Sequence, residues 1–257
     1  MTRKRKKSAG FKKLLIVSLI FGLLLAALFG YLKWQEYQVN FVRYNAFGIE
    51  IPAGYMVHGI DVSHHQDVIN WAEVRKMNIR GLTLDFAFIK ATEGLTNVDR
   101  LFKRNWYKAR EEGIPRGAYH FFIATKSGRK QAENFISQVI MEPGDLPPVL
   151  DVEQLYGVKP KDLRPRVKEW LEVIEKYYKV KPIIYTNVDF YEKYLGEEFD
   201  EYPLWVAHYL QPNKPRIKRD WIFWQHSETG RVNGIKPKVD FNVFSGDSLD
   251  FRNLLLK

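Results

Sequence analysis

Residues 146–157 read LPPVLDVEQLYG. Pro147, Pro148, Val149, Leu150 and Val152 make an apolar run of strand length, but two carboxylates, Asp151 and Glu153, are set into its end two positions apart. Side chains at i and i+2 of a strand share a face, so both acids look one way while Leu150 and Val152 look the other. A strand that ends in acids on a single face fits a parallel α/β barrel, where reactive groups gather at the C-terminal ends of the strands.

Working outward, short apolar runs alternate with helical patterns from Tyr55 onward. The expected strands are MVHGIDV, FAFIKAT, RGAYHFF, PPVLDVE, KPIIYTN, LWVAHY, WIFWQH and VDFNVF. Between the first five lie the helical stretches VINWAEVRKMN, RLFKRNWYKAREEG, SGRKQAENFISQVIM and KDLRPRVKEWLEVIEKYYK, the second closing on Gly113 as a C-cap. After KPIIYTN the spacers shorten and leave room for only a short helix around DFYEKYL. The rhythm predicts an α/β fold: a modified TIM-like barrel of five βα units followed by β-strands, eight strands in all, over residues 55–257.

If the barrel closes, Asp61 in HGIDVSHHQ and Asp240 in KVDFNVF reach the same end as Asp151 and Glu153. A lone strand-end Asp often only caps a helix or accepts loop N–H bonds. Two adjacent carboxylates differ, because like charges at a half-buried site repel unless one keeps a proton. Glycosidic cleavage uses such a division: a protonated acid for the departing oxygen and an ionised partner for the developing positive charge on the sugar. Glu153, with the longer reach, is the expected proton donor, and Asp151 the charged neighbour.

Other chemistries have weaker support. Asp61 with His64 and His65 contains metal-ligand types, but adjacent histidines diverge, no zinc-type spacing occurs, and no metal is expected. Ser63 lacks a nucleophile elbow, and no glycine-rich nucleotide loop occurs, so no cofactor is expected. Aromatic residues with polar handles recur near strand ends. Tyr119, Tyr185 and Trp205 are candidates for stacking on sugar rings, with Gln225 as a polar contact.

The net charge of +10 is concentrated at the start. Arg3, Lys4, Arg5, Lys6, Lys7, Lys12 and Lys13 leave 33 basic residues against 30 acidic ones elsewhere, so no nucleic-acid partner is expected. Residues 14–32, LLIVSLIFGLLLAALFGYL, carry no charge and as a helix of about 1.5 Å per residue would span roughly 28 Å. The reading is a basic cytoplasmic tail (1–13), an uncleaved single-pass anchor (14–32), a juxtamembrane linker (33–54), and a periplasmic or extracellular domain. The chain has no cysteine, so an exported domain must rely on its core. A monomer is expected.

From His58 to Asp247 the sequence resembles family 25 of the glycoside hydrolases, the Chalaropsis-type muramidases. The resemblance rests on GIDVSHHQ with INW, on FAFIKATEG with Asp99, Phe102 and Asn105, and on GIPRGAYHFF, LPPVLDVE, PIIYTN, LWVAHY and WQHS…GI…VDFNVF, in that order. It implies cleavage of the β-1,4 bond between N-acetylmuramic acid and N-acetylglucosamine in peptidoglycan glycan strands. Glu153 would be the acid, Asp151 its neighbour, and Asp61 and Asp240 the supporting carboxylates. The configuration would be retained, with Asp151 either attacking directly or positioning the substrate's own acetamido oxygen. Two departures stand out: Asp67 where the family usually has Gly, and Asn70 where it commonly has Asp. A silent peptidoglycan-binding module, or a glycosidase of another N-acetylhexosamine polymer such as chitin, are the alternatives.

Overall fold

The computed structural model describes residues 7–37, 40–209, 211 and 214–257; Arg3, Lys4, Arg5 and Lys6 of the basic tail lie outside the described residues. The chain divides into an N-terminal unit that ends at Asn40 and a second that begins at Phe41. The first contains helix α1 (Lys7–Tyr37). Within it, Gly10–Gln35 has a mean hydropathy of 2.6 and is long and apolar enough to cross a membrane.

The second unit opens with a hairpin, β1 (Phe41–Tyr44) and β2 (Ile49–Pro52). There follow β3 (His58–Val62), α2 (Trp71–Lys76), β4 (Phe86–Glu93), the two-residue β5 (Asn97–Val98), α3 (Phe102–Glu111), β6 (Arg116–Phe121) and α4 (Gly128–Gln138). After these come β7 (Val149–Asp151), α5 (Pro160–Tyr178), β8 (Ile183–Asn187), the single turn α6 (Val188–Phe190), β9 (Leu204–Ala207), β10 (Phe223–Val232), β11 (Ile235–Phe244) and α7 (Ser248–Leu254). Among the described residues, eight strands close a mixed barrel in the order β3-β4-β6-β7-β8-β9-β10-β11, the last pairing back onto β3. Seven run parallel, while β11 is antiparallel to both its neighbours.

The alternation along each strand separates two apolar layers. In β4, Ala87, Ile89 and Ala91 join the outer core beneath the helices, whereas Phe86 and Phe88 fill the barrel interior. The interior is largely aromatic, and Phe88 stacks on Trp205 with ring centroids 4.4 Å apart. Room for these rings comes from Gly59 and Gly117, where a Cβ would sit 2.5 Å from the rings of Phe86 and Phe88. Phe251 of α7 packs against Phe86 and Phe244 and stops the end opposite the strand C-termini. On the outside, α3 buries Phe102, Asn105, Trp106 and Ala109 on one face, at the spacing of successive helical turns, and chain reversal follows at Gly113 with φ +67°.

All eight expected strands are present, but their ends differ. PPVLDVE contributes only Val149–Asp151 to the sheet, so Glu153 stands in the loop just beyond β7. Strands β10 and β11 continue well past the apolar cores WIFWQH and VDFNVF into a long hairpin. Its outer half mixes exposed polar residues with the buried Val232 and Ile235 and slips register between Gln225 and Val232, which breaks the period-two signal. Residues 33–54 are not linker throughout. From Phe41 the chain is folded, with Phe47, Ile49 and Ile51 buried in the outer core and Phe47 set against Phe241 at 5.2 Å.

Candidate active site

The strand pairing brings the expected acids together. Asp61 of β3 is the direct register partner of Asp240 on β11, and Asp151 of β7 pairs with Phe121 on one side and Tyr185 on the other. All three carboxylates alternate with outer-core residues along their strands, so each faces inward, at the level above the aromatic filling. Together with Glu153 they line one cavity of about 400 Å³, whose walls also include Ser63, Lys90, Tyr119, Tyr185, Trp205, Tyr209, Gln225 and Glu228. That size suits a small-molecule or sugar site.

A hydrogen-bonded network fixes the floor. Asp61 Oδ2 accepts from Gln225 Nε2 and from Asn242 Nδ2, both at 2.7 Å. Gln225 Oε1 in turn accepts from Tyr185 Oη at 2.8 Å and from the Tyr209 hydroxyl, and Asn242 Oδ1 accepts from Trp205 Nε1 at 2.8 Å. Every heteroatom of the two amides that faces Asp61 is thereby oriented, and the carboxylate cannot turn without breaking several bonds. Tyr185, Trp205 and Gln225 are buried and serve as this floor, whereas Tyr119 and Tyr209 are partly exposed in the wall.

The electrostatics are those of crowded acids. Burial, and to a lesser degree the charge of Asp61 and their shared hydrogen bond, push Asp240 up to about 9, so it holds a proton at neutral pH. Burial also raises Asp61, but the bonds from Asn242, Gln225 and Asp240 oppose that shift and favour its charged form. Burial raises Glu153, and the charge of Asp61 adds to it. Asp151 is raised well above the usual range, first by burial and then by Glu153, and its Oδ1 is buried without a partner among the described residues. Both members of the pair thus sit where burial opposes charge, the more deeply buried being Asp151. The positive charge that tempers both is Lys90, which is 2.7 Å from Glu93 and lies over the Phe121 ring.

Lys90 and Asn242 were missed in the sequence, although each carried a signal. Lys90 is the charged residue inside FAFIKAT, in phase with Phe86 and Phe88, and Asn242 stands two positions from Asp240, the same spacing that singled out Asp151 and Glu153. His64 is turned away from the cavity: its backbone N–H donates to Asp99 Oδ2 at 2.9 Å, and its Nδ1 is 2.7 Å from the same oxygen. Ser63 Oγ accepts from the His65 N–H and caps the short turn, a structural task.

Comparison with known proteins agrees with this geometry. Residues 60–235 match the family model "Glycosyl hydrolases family 25". The protein YegX of Escherichia coli (strain K12) is 50% identical over 201 residues, 78% of this chain and 74% of its own. Lysozyme M1 of Streptomyces globisporus is 36% identical over 211 residues, 75% of this chain and 69% of its own. A family 25 glycosyl hydrolase structure from Bacillus anthracis superposes with a TM-score of 0.74 at 32% identity, covering 84% of this chain and all of that one. With a closed barrel, a carboxylate-lined cavity at the strand ends and these relatives, the chain belongs to family 25 of the glycosyl hydrolases and is a glycosidase of the muramidase type.

Proposed function

We propose that this chain hydrolyses the β-1,4 bond between N-acetylmuramic acid and N-acetylglucosamine in peptidoglycan, with Glu153 as general acid and with retention of configuration. The observation that carries this reading is the set of four carboxylates around one cavity with their proton affinities raised. Glu153 is the acid on the open wall, within reach of a departing glycosidic oxygen, while Asp151 lies deeper with an unpartnered Oδ1.

Burial opposes charge on both Asp151 and Glu153, so the pair holds a proton between them. A substrate acetamido N–H donated to Asp151 Oδ1 stabilises its ionised form and passes the proton preference to Glu153. The acetamido oxygen, oriented by Asp151, then closes on the anomeric carbon as Glu153 protonates the leaving oxygen. Water admitted by Glu153 acting as base reopens the ring from the same face. Asp61, locked by Gln225 and Asn242, supplies fixed negative charge beneath the developing cation. Residues 14–32 hold this domain to a membrane, with the N-terminus in the cytoplasm and the barrel outside.

The test is digestion of purified peptidoglycan by the full chain in detergent, with mass spectrometry of the released ends. Reducing-end N-acetylmuramic acid is expected, with Glu153→Gln lowering kcat by about a hundredfold or more while binding to sacculi persists. An inverted product, or a Glu153→Gln protein that keeps most of its turnover, removes the assignment. Binding without any release makes the chain a wall-binding module instead.

A further inference from the structure

Beside the catalytic cavity lies a second, of about 250 Å³, lined by His64, Lys90, Asn97, Val98, Asp99 and Arg100. Lys90 lines both cavities, and the turn His64–Gln66 separates them. His65 faces the catalytic side, His64 the other, and their rings lie 4.1 Å apart. A ligand seated among the carboxylates therefore has a neighbouring pocket within one side chain's width.

The chemistry of this pocket is the reverse of the first. Asp99 is its one acid, and both its oxygens are already committed: Oδ2 to His64, and Oδ1 to the Leu101 N–H at 2.9 Å. Its side chain is 1% exposed, so it supports the wall rather than facing a ligand. Lys90 shares its charge with Glu93. Arg100 is exposed at the rim, its Nη2 at 3.5 Å from the His64 carbonyl, with no carboxylate bound among the described residues. With His64 Nδ1 committed to Asp99, Nε2 is the ring nitrogen left for a ligand. A guanidinium, an ammonium and an imidazole around a small cavity favour an anion, because charge-assisted hydrogen bonds to a carboxylate exceed those to a neutral hydroxyl.

We propose that this cavity is a subsite for a free carboxylate of the peptide that peptidoglycan carries on the 3-O-substituent of the muramyl sugar. The proposal rests on the muramidase reading and deepens it. The pocket is then a device by which the enzyme prefers strands whose muramyl peptides keep free carboxylates. Arg100 acts here as a specificity residue, at the edge of the reaction and outside its proton transfers.

The experiment compares the full chain in detergent on two substrates, peptidoglycan with free carboxylates and the same material amidated with carbodiimide and ammonium. Wild type is expected to show a kcat/KM about fivefold to tenfold higher on the free-carboxylate form. Arg100→Gln should bring that ratio close to one, Arg100→Lys should restore most of it, and Lys176→Gln, on the exposed last turn of α5, should leave it unchanged. A wild-type ratio of one, or an Arg100→Gln loss equal on both substrates, overturns the subsite. A ratio lowered as much by Lys176→Gln assigns the preference to overall charge and overturns it too. Absence of reducing ends from both substrates removes the muramidase reading and this proposal together.

Discussion

Asp67 shows how one residue can depart from its family's habit at a structural cost. It ends the turn His64–Gln66 at φ 55° and ψ −151°, its N–H donating to the His64 carbonyl at 3.1 Å. That region is open to glycine and strained for a residue with a Cβ. Asp67→Gly is therefore expected to stabilise the fold by about 1 kcal/mol, strain relief outweighing the extra freedom of glycine in the unfolded chain. For a domain of this size that is a rise in Tm of roughly 2–4 °C. Asp67→Ala keeps the Cβ and should show no such gain; equal melting of both variants would mean that the turn stores no strain. The second departure, Asn70, occupies the N-cap of α2 without a side-chain capping bond.

At the scale of elements, the hairpin β1–β2 shows what the barrel needs beyond its eight strands. Phe47, at its turn, is fully buried and meets Phe241, and its carbonyl accepts from the Arg231 N–H at 2.8 Å. Phe47→Ala should cost about 3–5 kcal/mol, as for other large aromatic truncations. A chain beginning at Tyr55 should unfold at lower denaturant than one beginning at Phe41, and equal midpoints would make the hairpin an ornament. The same contrast explains which elements were legible. Strand β7 with Asp151 at its end could be read because period-two alternation is local, and α3 and α5 because their apolar faces repeat every turn. The hairpin was hidden because four-residue strands following an apolar helix resemble a stalk, although IEIP alternates as a strand should. In the site, the side-by-side pairing of Asp61 and Asp240 depends on an antiparallel return of β11 that no local pattern encodes. Lys90 and Asn242 became visible as site residues only when closure brought their strands to one cavity.

For the whole molecule, two sets of buried titratable groups pull stability in opposite directions with pH. Burial lowers His58, and lowers His120 and His226 to about 3, the last with both ring nitrogens unpartnered among the described residues. Between about 6.5 and those lowered values the unfolded chain binds more protons than the folded one, so stability falls as pH falls. The carboxyls behave in reverse. Asp61, Asp151 and Asp240 are raised, Asp240 to about 9, so the folded state binds more protons from about 3.8 upward, and their contribution is lost as pH rises. Within roughly pH 4 to 6.5 the two slopes oppose one another, and Tm should form a broad maximum there, falling on both flanks. Thermal melts of the full chain from pH 3 to 10 check this, with Asp240→Asn expected to flatten the alkaline flank and His226→Leu the acid one. An Asn at position 240 can still donate to Asp61, so the first variant removes the titration while keeping the contact. A Tm that climbs steadily to pH 9 would show that the acids are not held protonated by the fold. It would also remove the basis for Glu153 as a proton donor, because the burial and carboxylate charge that raise Asp240 also raise Glu153. Stability and catalysis thus depend on the same crowding of acids above an aromatic core, and activity should fade along the alkaline flank as Glu153 loses its proton.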